Sequence, residues 1–402
     1  MTAPTRRAQI VGHRRTAVFV AGVLALSSCA GAESAADTDA ASAAPHPPAA
    51  SPSAPATGST VGSAVAAPSV PGTCPDPALW DTRAIANLLV VPGIGGGADW
   101  PPWLPPSTGG VFVGSQSSGL AAGLFTVPPK GAAIDPFVAV DYEGGLVSQH
   151  ADVIGELPSP RAQSATMSVA EIQAQATERG LAMGEVGISV DFAPVVDLDL
   201  GSPIVGSRSY GSDVAVVVGN AGAFAAGLQA AEVVPTLKHF PGHGSTAGDS
   251  HETLAIAEPW EVLIGRDVEV FRQLLTRPGP WLVMMGHIVV PGLSTDAASP
   301  ASVDPAAYRA LRDTTGFRGP VITDDLSDMR AITDRLSAPE AVVSAISAGA
   351  DLSLLSDARA HDEAITALTV WADGDPTGRA HLIAAATRAM QVMPCGTGWS
   401  AS

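Results

Sequence analysis

The chain has 402 residues, enough for one large domain or two ordinary ones, and 46% of it is hydrophobic, which is ample for a core. Its 39 acidic and 21 basic residues leave a formal charge of −18, and no basic cluster lies beyond the first fifteen residues. Such a surface repels nucleic acid and anionic membrane faces, so neither is expected as a partner of the folded part.

The N-terminus reads as a targeting segment. Arg6, Arg7, Arg14 and Arg15 form a charged region, and residues 16–26 form an apolar run too short to span a bilayer comfortably. Leu26-Ser27-Ser28-Cys29 then reads as a lipobox, in which cleavage exposes a cysteine that takes a lipid. An ordinary secretory signal with a chance cysteine is the alternative. The lipoprotein reading is favoured because the apolar run ends where the small residues and Cys29 begin. Residues 1–28 are therefore predicted to be a lipoprotein signal peptide, and the protein to be exported and anchored by Cys29 to the outer face of the cell membrane. Residues 29–73 are rich in Ala, Ser, Pro, Gly and Thr and cannot bury enough surface to fold, so they are predicted to be a flexible tether. The folded domain is predicted over 74–402. Its two cysteines, Cys74 and Cys395, flank it and are expected to form a disulfide, as suits an exported chain.

From about residue 75 strands alternate with helices. Strand-length apolar runs fall at 88–91, 110–113, 136–140, 190–196, 233–237, 281–290, 320–323 and 351–355. Helical patterns fall at 168–186, 213–231, 260–275, 304–314, 339–348, 360–372 and 379–393. The first of these helices opens on Ser168 with Glu171 three residues on, a capping box. Eight strands with intervening helices fit a single (β/α)8 barrel, with a doubly wound sheet as the alternative. The polar residues favour the barrel: Asp141, Asp197, Lys238, His287 and Asp324 each fall at or near the C-terminal end of a different strand, and a barrel gathers those ends into one mouth.

Residues 238–254 hold the densest chemistry. Three histidines, one of the chain's two lysines and an aspartate lie within fourteen residues, in a loop kept irregular by Pro241, Gly242, Gly244 and Gly248. Asp249 and His251 are two apart, so the carboxylate can orient the imidazole and stabilise its cation as a general acid/base. Lys238 and His239 stand at the strand end and can donate to a ligand, whereas His243 is expected to hold the loop together. Asp141 can accept from ligand hydroxyls. Arg208 offers a planar fork for a hydroxyl or anion, or else a structural salt bridge. Asp197 and Asp199 are expected to orient loops, and His287 to stand behind the site. Asp324 is the better nucleophile of the Asp324-Asp325 pair. Two chemistries remain open on these residues. In one, His239, His243, His251 and an aspartate bind zinc, although Pro241 and Gly242 break any helical pairing of the ligands. In the other, a carboxylate attacks an anomeric carbon and a separate acid protonates the leaving oxygen.

The sequence Lys-His-Phe-Pro-Gly-His-Gly at 238–244, followed by Asp-Ser-His at 249–251, resembles the signature of glycoside hydrolase family 3 in its β-N-acetylhexosaminidase branch. Asp-x-Glu-Gly-Gly at 141–145, Gly-Ser-Arg-Ser-Tyr-Gly at 206–211 and Ile-Thr-Asp-Asp-Leu at 322–326 occur in the same order as in that branch. The resemblance extends from about 80 to 393. It implies that Asp324 is the nucleophile, that His251 is an unusual histidine acid/base with Asp249 as its partner, and that Asp141, Arg208, Lys238 and His239 bind the terminal sugar. It also implies retention of anomeric configuration, no metal or other cofactor, and cleavage of terminal β-linked GlcNAc. Where bacterial relatives carry two arginines after Glu-Gly-Gly, this chain has Leu146 and Gln149. The resemblance leads one to expect a single barrel without the second domain that supplies a glutamate acid/base in other family members, which agrees with a histidine acid on the barrel's own loop. With the lipobox, GlcNAc-containing saccharides and muropeptides become the expected substrates in cell-wall turnover. A phosphorylase, or a sugar-binding lipoprotein without turnover, is the alternative.

Overall fold

A computed structural model describes residues 74–395, Ala98 excepted. The predicted signal segment, Cys29 and the tether lie outside the described residues. Eight parallel strands form the central sheet: β1 (Val90–Gly95), β2 (Gly110–Ser115), β3 (Phe137–Val140), β4 (Val190–Asp191), β5 (Val234–Phe240), β6 (Leu282–Met285), β7 (Val321–Thr323) and β8 (Ser353–Leu355). Each pairs in parallel with the next from β1 to β7, β8 pairs with β1 in the register Val90↔Ser353, and a parallel bridge Ile322↔Leu352 closes the ring. The chain is a (β/α)8 barrel.

The longer helices follow the helical runs in the sequence, and several of them start on a side-chain cap such as Asp81, Ser168, Asp213 or Asp304. They are α1 (Thr82–Leu89), α2 (Val169–Glu185), α3 (Val214–Ala230), α4 (Asp267–Leu274), α5 (Pro305–Thr315), α6 (Ala338–Ala348), α7 (His361–Gly374) and α8 (Gly378–Ala389). The Ser168–Glu171 capping box starts α2: the Ser168 N–H donates to Glu171 Oε2 at 2.7 Å, and the Glu171 N–H to Ser168 Oγ at 3.3 Å. Residues 96–109 join β1 to β2, and no helix forms among the described residues of that crossover.

Several sequence-based boundaries shift, each for a physical reason. The expected strand at 88–91 begins as the end of α1, where Leu88 and Leu89 are buried. An unbroken apolar run has no period that tells helix from strand. The run at 190–196 pairs only through Asp191, because Pro194 has no N–H for the ladder, and Val195 rejoins by a bridge to Lys238. The run at 281–290 is two elements: β6 stops at Met285, and Ile288–Val289 pairs with Ala255–Ile256 in a separate two-stranded sheet. The helix at 260–275 splits into Trp260–Leu263 and α4 around Gly265. Cys74 and Cys395 are bonded, with an Sγ–Sγ distance of 2.17 Å, and join the two ends of the described barrel.

Candidate active site

The C-terminal ends of the strands surround a cavity of about 320 Å³. Asp141, Arg208, Lys238, His239, His251 and Asp324 all line it. They come from β3, the loop after β4, β5 and its following loop, and β7, so the barrel brings together side chains up to 183 positions apart. Asp249 stands behind His251.

One side of the cavity is an ionic cluster built on Glu143, which sequence reasoning missed. Glu143 is fully buried on the hairpin that follows β3. It accepts two hydrogen bonds from Arg208, Nε to Oε2 and Nη2 to Oε1, both at 2.7 Å. Lys238 Nζ lies 2.6 Å from Glu143 Oε1 and 2.6 Å from Asp141 Oδ1. Burial pushes the Glu143 carboxyl up, but Lys238 and Arg208 outweigh it and bring it down to about 2. Burial likewise opposes the charges on Lys238 and Arg208, yet Asp141 and Glu143 hold the former above its usual range, and Glu143 does the same for the latter. Two cations thus stay charged in a site where an unpaired lysine would lose its proton. Arg208 thus makes the salt bridge that was one of its two expected roles, and it also lines the cavity.

A second cluster carries His239. Its Nδ1 is 2.7 Å from Asp197 Oδ2, and Asp197 Oδ1 also accepts the His243 N–H at 2.6 Å. Burial raises the Asp197 carboxyl, but His239, His243 and their hydrogen bonds hold it low. Asp197 thus orients the start of the loop, as expected from its place at a strand end. With its ring fixed in this way, His239 places Nε2 3.9 Å from Asp324 Oδ2.

Asp324 sits at the end of β7, its own N–H donating to Met285 O of β6 at 3.0 Å. The Asp325 N–H donates to Asp324 Oδ1 at 2.9 Å. Burial pulls the Asp324 carboxyl up, but His239, His287, that N–H and Lys238 together hold it far below the usual carboxylate range. It is a carboxylate kept ionised and aimed at the cavity. Asp325 is already committed: its Oδ1 accepts from Ser327 N, Ser327 Oγ and Ser356 N at 3.0, 2.7 and 2.9 Å. His287 lies behind the pair, 2.8 Å from Asp325 O and 2.7 Å from Ser302 Oγ, and burial lowers its proton affinity.

His251 Nδ1 lies 2.9 Å from Asp249 Oδ1, which also accepts the His251 N–H at 2.9 Å. The imidazole is 59% exposed. Its loop is held from both sides. Inside, the buried His243 reaches Thr246 Oγ1 at 2.7 Å and Ser250 Oγ at 3.0 Å. Outside, the Ala331 N–H donates to Ser250 O at 3.2 Å and the Arg330 N–H to His251 O at 3.3 Å. The loop bearing the imidazole is thus tied to the segment that follows β7 and Asp324. Among the described residues, no group of three or more His, Cys, Asp or Glu side chains is placed to hold a metal ion.

The sequence matches the glycosyl hydrolase family 3 N-terminal domain over residues 114–392. This chain belongs to glycoside hydrolase family 3. Its β-hexosaminidase relatives place it among the family's enzymes of that class. The β-hexosaminidase LpqI of Mycobacterium tuberculosis is 41% identical over 313 residues, covering 74% of this chain and 79% of the relative. A β-hexosaminidase of Tolumonas auensis is 33% identical over 272 residues, 65% of this chain and 79% of the relative. Among solved structures, a family 3 member from Mycobacterium smegmatis superposes with a TM-score of 0.71 at 36% identity, covering 80% of this chain and 99% of that one. A β-N-acetylhexosaminidase from Beutenbergia cavernae gives 0.69 at 26% identity, covering 77% and 97%. On this family 3 barrel Leu146 is 86% exposed at the surface, while Gln149 turns inward and its Oε1 accepts the Asp141 N–H at 3.3 Å.

Proposed function

We propose that this family 3 enzyme is a retaining exo-β-N-acetylglucosaminidase acting on cell-wall fragments. The observation that carries the reading is an ionised Asp324 in one cavity with a separate, carboxylate-backed imidazole, His251. The hexosaminidase names of its relatives support GlcNAc as the sugar. In the first step Asp324 attacks C1 and the C1–O bond breaks. Its electron pair stays on the leaving oxygen, which takes the proton of His251. In the second step His251 takes a proton from water, the water oxygen bonds to C1, and Asp324 departs. Two inversions at C1 return the starting configuration. Asp249 stabilises the imidazolium of the first step. Asp141, Arg208, Lys238 and His239 bind the sugar's hydroxyls, with Asp141 and Lys238 offering both acceptor and donor.

A lipid on Cys29 would hold the enzyme at the outer face of the cell membrane. GlcNAc-MurNAc fragments, with or without peptide, are then the substrates within reach. The test is turnover of a chromogenic β-GlcNAc substrate for Asp324 and of an alkyl β-GlcNAc glycoside, whose leaving oxygen needs a proton, for His251. Asp324→Asn is expected to lose about 10³-fold or more in kcat, and His251→Ala about 10²–10⁴-fold on substrates with poor leaving groups. Undiminished turnover in either variant sinks the assignment. Release of GlcNAc-1-phosphate in the presence of phosphate would make the enzyme a phosphorylase.

A further inference from the structure

His251 rides on an arm of the chain, residues 242–258, that turns back on itself. Ala247 and Ile256 pair in antiparallel fashion across the arm: the Ala247 N–H donates to Ile256 O at 3.0 Å and the Ile256 N–H to Ala247 O at 3.3 Å. The tip beyond this pair bears Asp249 and His251. At its root Ser245 stands on the outgoing side and Glu258 on the returning side.

Arg266 and Asp267 hold that root from outside the arm. Arg266 immediately precedes α4. Its Nη2 is 2.6 Å from Glu258 Oε2 and 3.3 Å from Ser245 Oγ, and its Nε is 2.8 Å from Asp267 Oδ2. One guanidinium thus joins both sides of the arm to the start of α4, and its planar fork fixes the three contacts in one rigid geometry. Asp267 is 2% exposed and packs on the first turn of the arm. A Cβ on Gly242 would lie 2.5 Å from Asp267 Cβ, and Gly242 has a φ of 133°, which glycine adopts freely.

The tip depends on such support. The His251 imidazole is 59% exposed, and among the described residues its ring bonds Asp249, which sits on the same tip. Its place relative to Asp324 therefore follows the place of the whole arm. Asp324 belongs to β7, a separate element, and a misplacement of about 1 Å between reacting groups can cost on the order of 10²-fold in rate. Arg266 itself does not line the catalytic cavity.

We propose that Arg266 is a positioning residue for proton transfer: it clasps Ser245 and Glu258 and so sets where His251 stands relative to Asp324. The proposal rests on the reading of His251 as the acid/base and adds the group that places it.

Removing Arg266 outright would strand the buried Asp267 carboxylate, so the clasp is opened from its other side. Ser245→Ala with Glu258→Gln frees the arm and keeps the Arg266–Asp267 pair. Arg266→Lys keeps the charge and loses the fork. The substrates are methyl β-GlcNAc, whose leaving oxygen needs a proton, and dinitrophenyl β-GlcNAc, whose leaving group does not. Both variants are expected to lose about tenfold or more in kcat/KM on the methyl glycoside and less than about threefold on the dinitrophenyl glycoside. Hydrolysis of the glycosyl-enzyme also needs His251, as the base that activates water. Azide needs no base: its nitrogen bonds to C1, Asp324 departs with the electron pair of the C1–O bond, and a glycosyl azide forms. Azide is therefore expected to raise kcat of the variants on the dinitrophenyl glycoside and to leave the wild type unchanged. Arg272→Ala, which opens an ion pair internal to α4, is expected to change neither substrate. Equal losses on both substrates, no loss on either, or no response to azide overturns the clasp. His251→Ala is measured alongside. If it shows neither leaving-group dependence nor azide rescue, the acid/base reading fails; if it shows both and the clasp variants show neither, the clasp alone fails.

Discussion

Glu143 decides whether the cations of the mouth can exist there. It meets Arg208 with both oxygens and Lys238 with one, and the Glu143 side chain itself is fully buried. Glu143→Gln leaves two buried cations with only Asp141 between them, and breaking a buried pair costs about 3–5 kcal/mol. The expected result is a loss of that order in urea unfolding at pH 7, with a fall in kcat/KM as Lys238, left with Asp141 as its remaining carboxylate partner, binds that side chain more closely and offers it less freely to a ligand. The pH dependence has a definite sign. The Glu143 carboxyl is lowered from 4.5 to about 2, so its stabilisation is present above pH 4.5 and is lost as pH falls through 2. The gap between wild type and Glu143→Gln should therefore narrow over that window, and a constant gap would refute the ionic account. The sequence held a sign of this residue. Asp141 and Glu143 are two apart in extended chain and so share a face. Asp141 was legible because it ends an apolar run, whereas Glu143 looked like part of a Gly-Gly turn. Its role depends on Lys238 and Arg208, 95 and 65 positions away, and no local pattern reports such a distance.

The loop between β5 and the short strand Ala255–Ile256 is the element on which the proposed acid catalysis depends. His243 bonds Thr246 on one side and Ser250 on the other, next to the Asp249/His251 pair. Burial and the neighbouring His239 lower its proton affinity from 6.5 to about 4, so it is a neutral clamp in the working range. The stability it confers is present above pH 6.5 and is lost as pH falls through 4. His243→Ala is expected to misplace His251 without touching Asp324. Its kcat should fall at least tenfold on disaccharides, which need protonation of the leaving oxygen, and much less on dinitrophenyl glycosides, which do not. Equal losses on both classes would make His243 a residue of the fold alone. Element by element, legibility tracked periodicity. The (β/α)8 alternation and the Ser168–Glu171 start of α2 stood out because runs of apolar residues alternate with capped amphipathic stretches. The end of α1 and the split at His287 were hidden in continuous apolar runs, which look the same as helix or strand. The short strands at 255–256 and 288–289 were hidden too, because two residues carry no period.

A closed barrel makes the first and last strands neighbours, so the two ends of its chain approach each other whatever the distance in sequence. Here β1 pairs with β8, α1 packs beside α7 and α8, and the Cys74–Cys395 bond joins residues 321 positions apart. Arg379 of α8 strengthens the seam by donating to Trp80 O at 2.6 Å and Ala78 O at 3.2 Å. A crosslink over so long a loop acts mainly on the unfolded chain, removing conformations that the open chain would have, and typical native disulfides contribute about 2–5 kcal/mol. Neither Cys74 nor Cys395 lines the catalytic cavity. Cys74→Ser with Cys395→Ser should therefore lower the melting temperature and the urea midpoint by an amount in that range while leaving kcat and KM at 25 °C within about twofold. The same shift should follow reduction of the wild type and be absent when the double variant is treated with the same reductant. If the double variant instead loses activity at temperatures where its circular dichroism is native, the seam between the first and last strands shapes the mouth as well as holding the barrel shut.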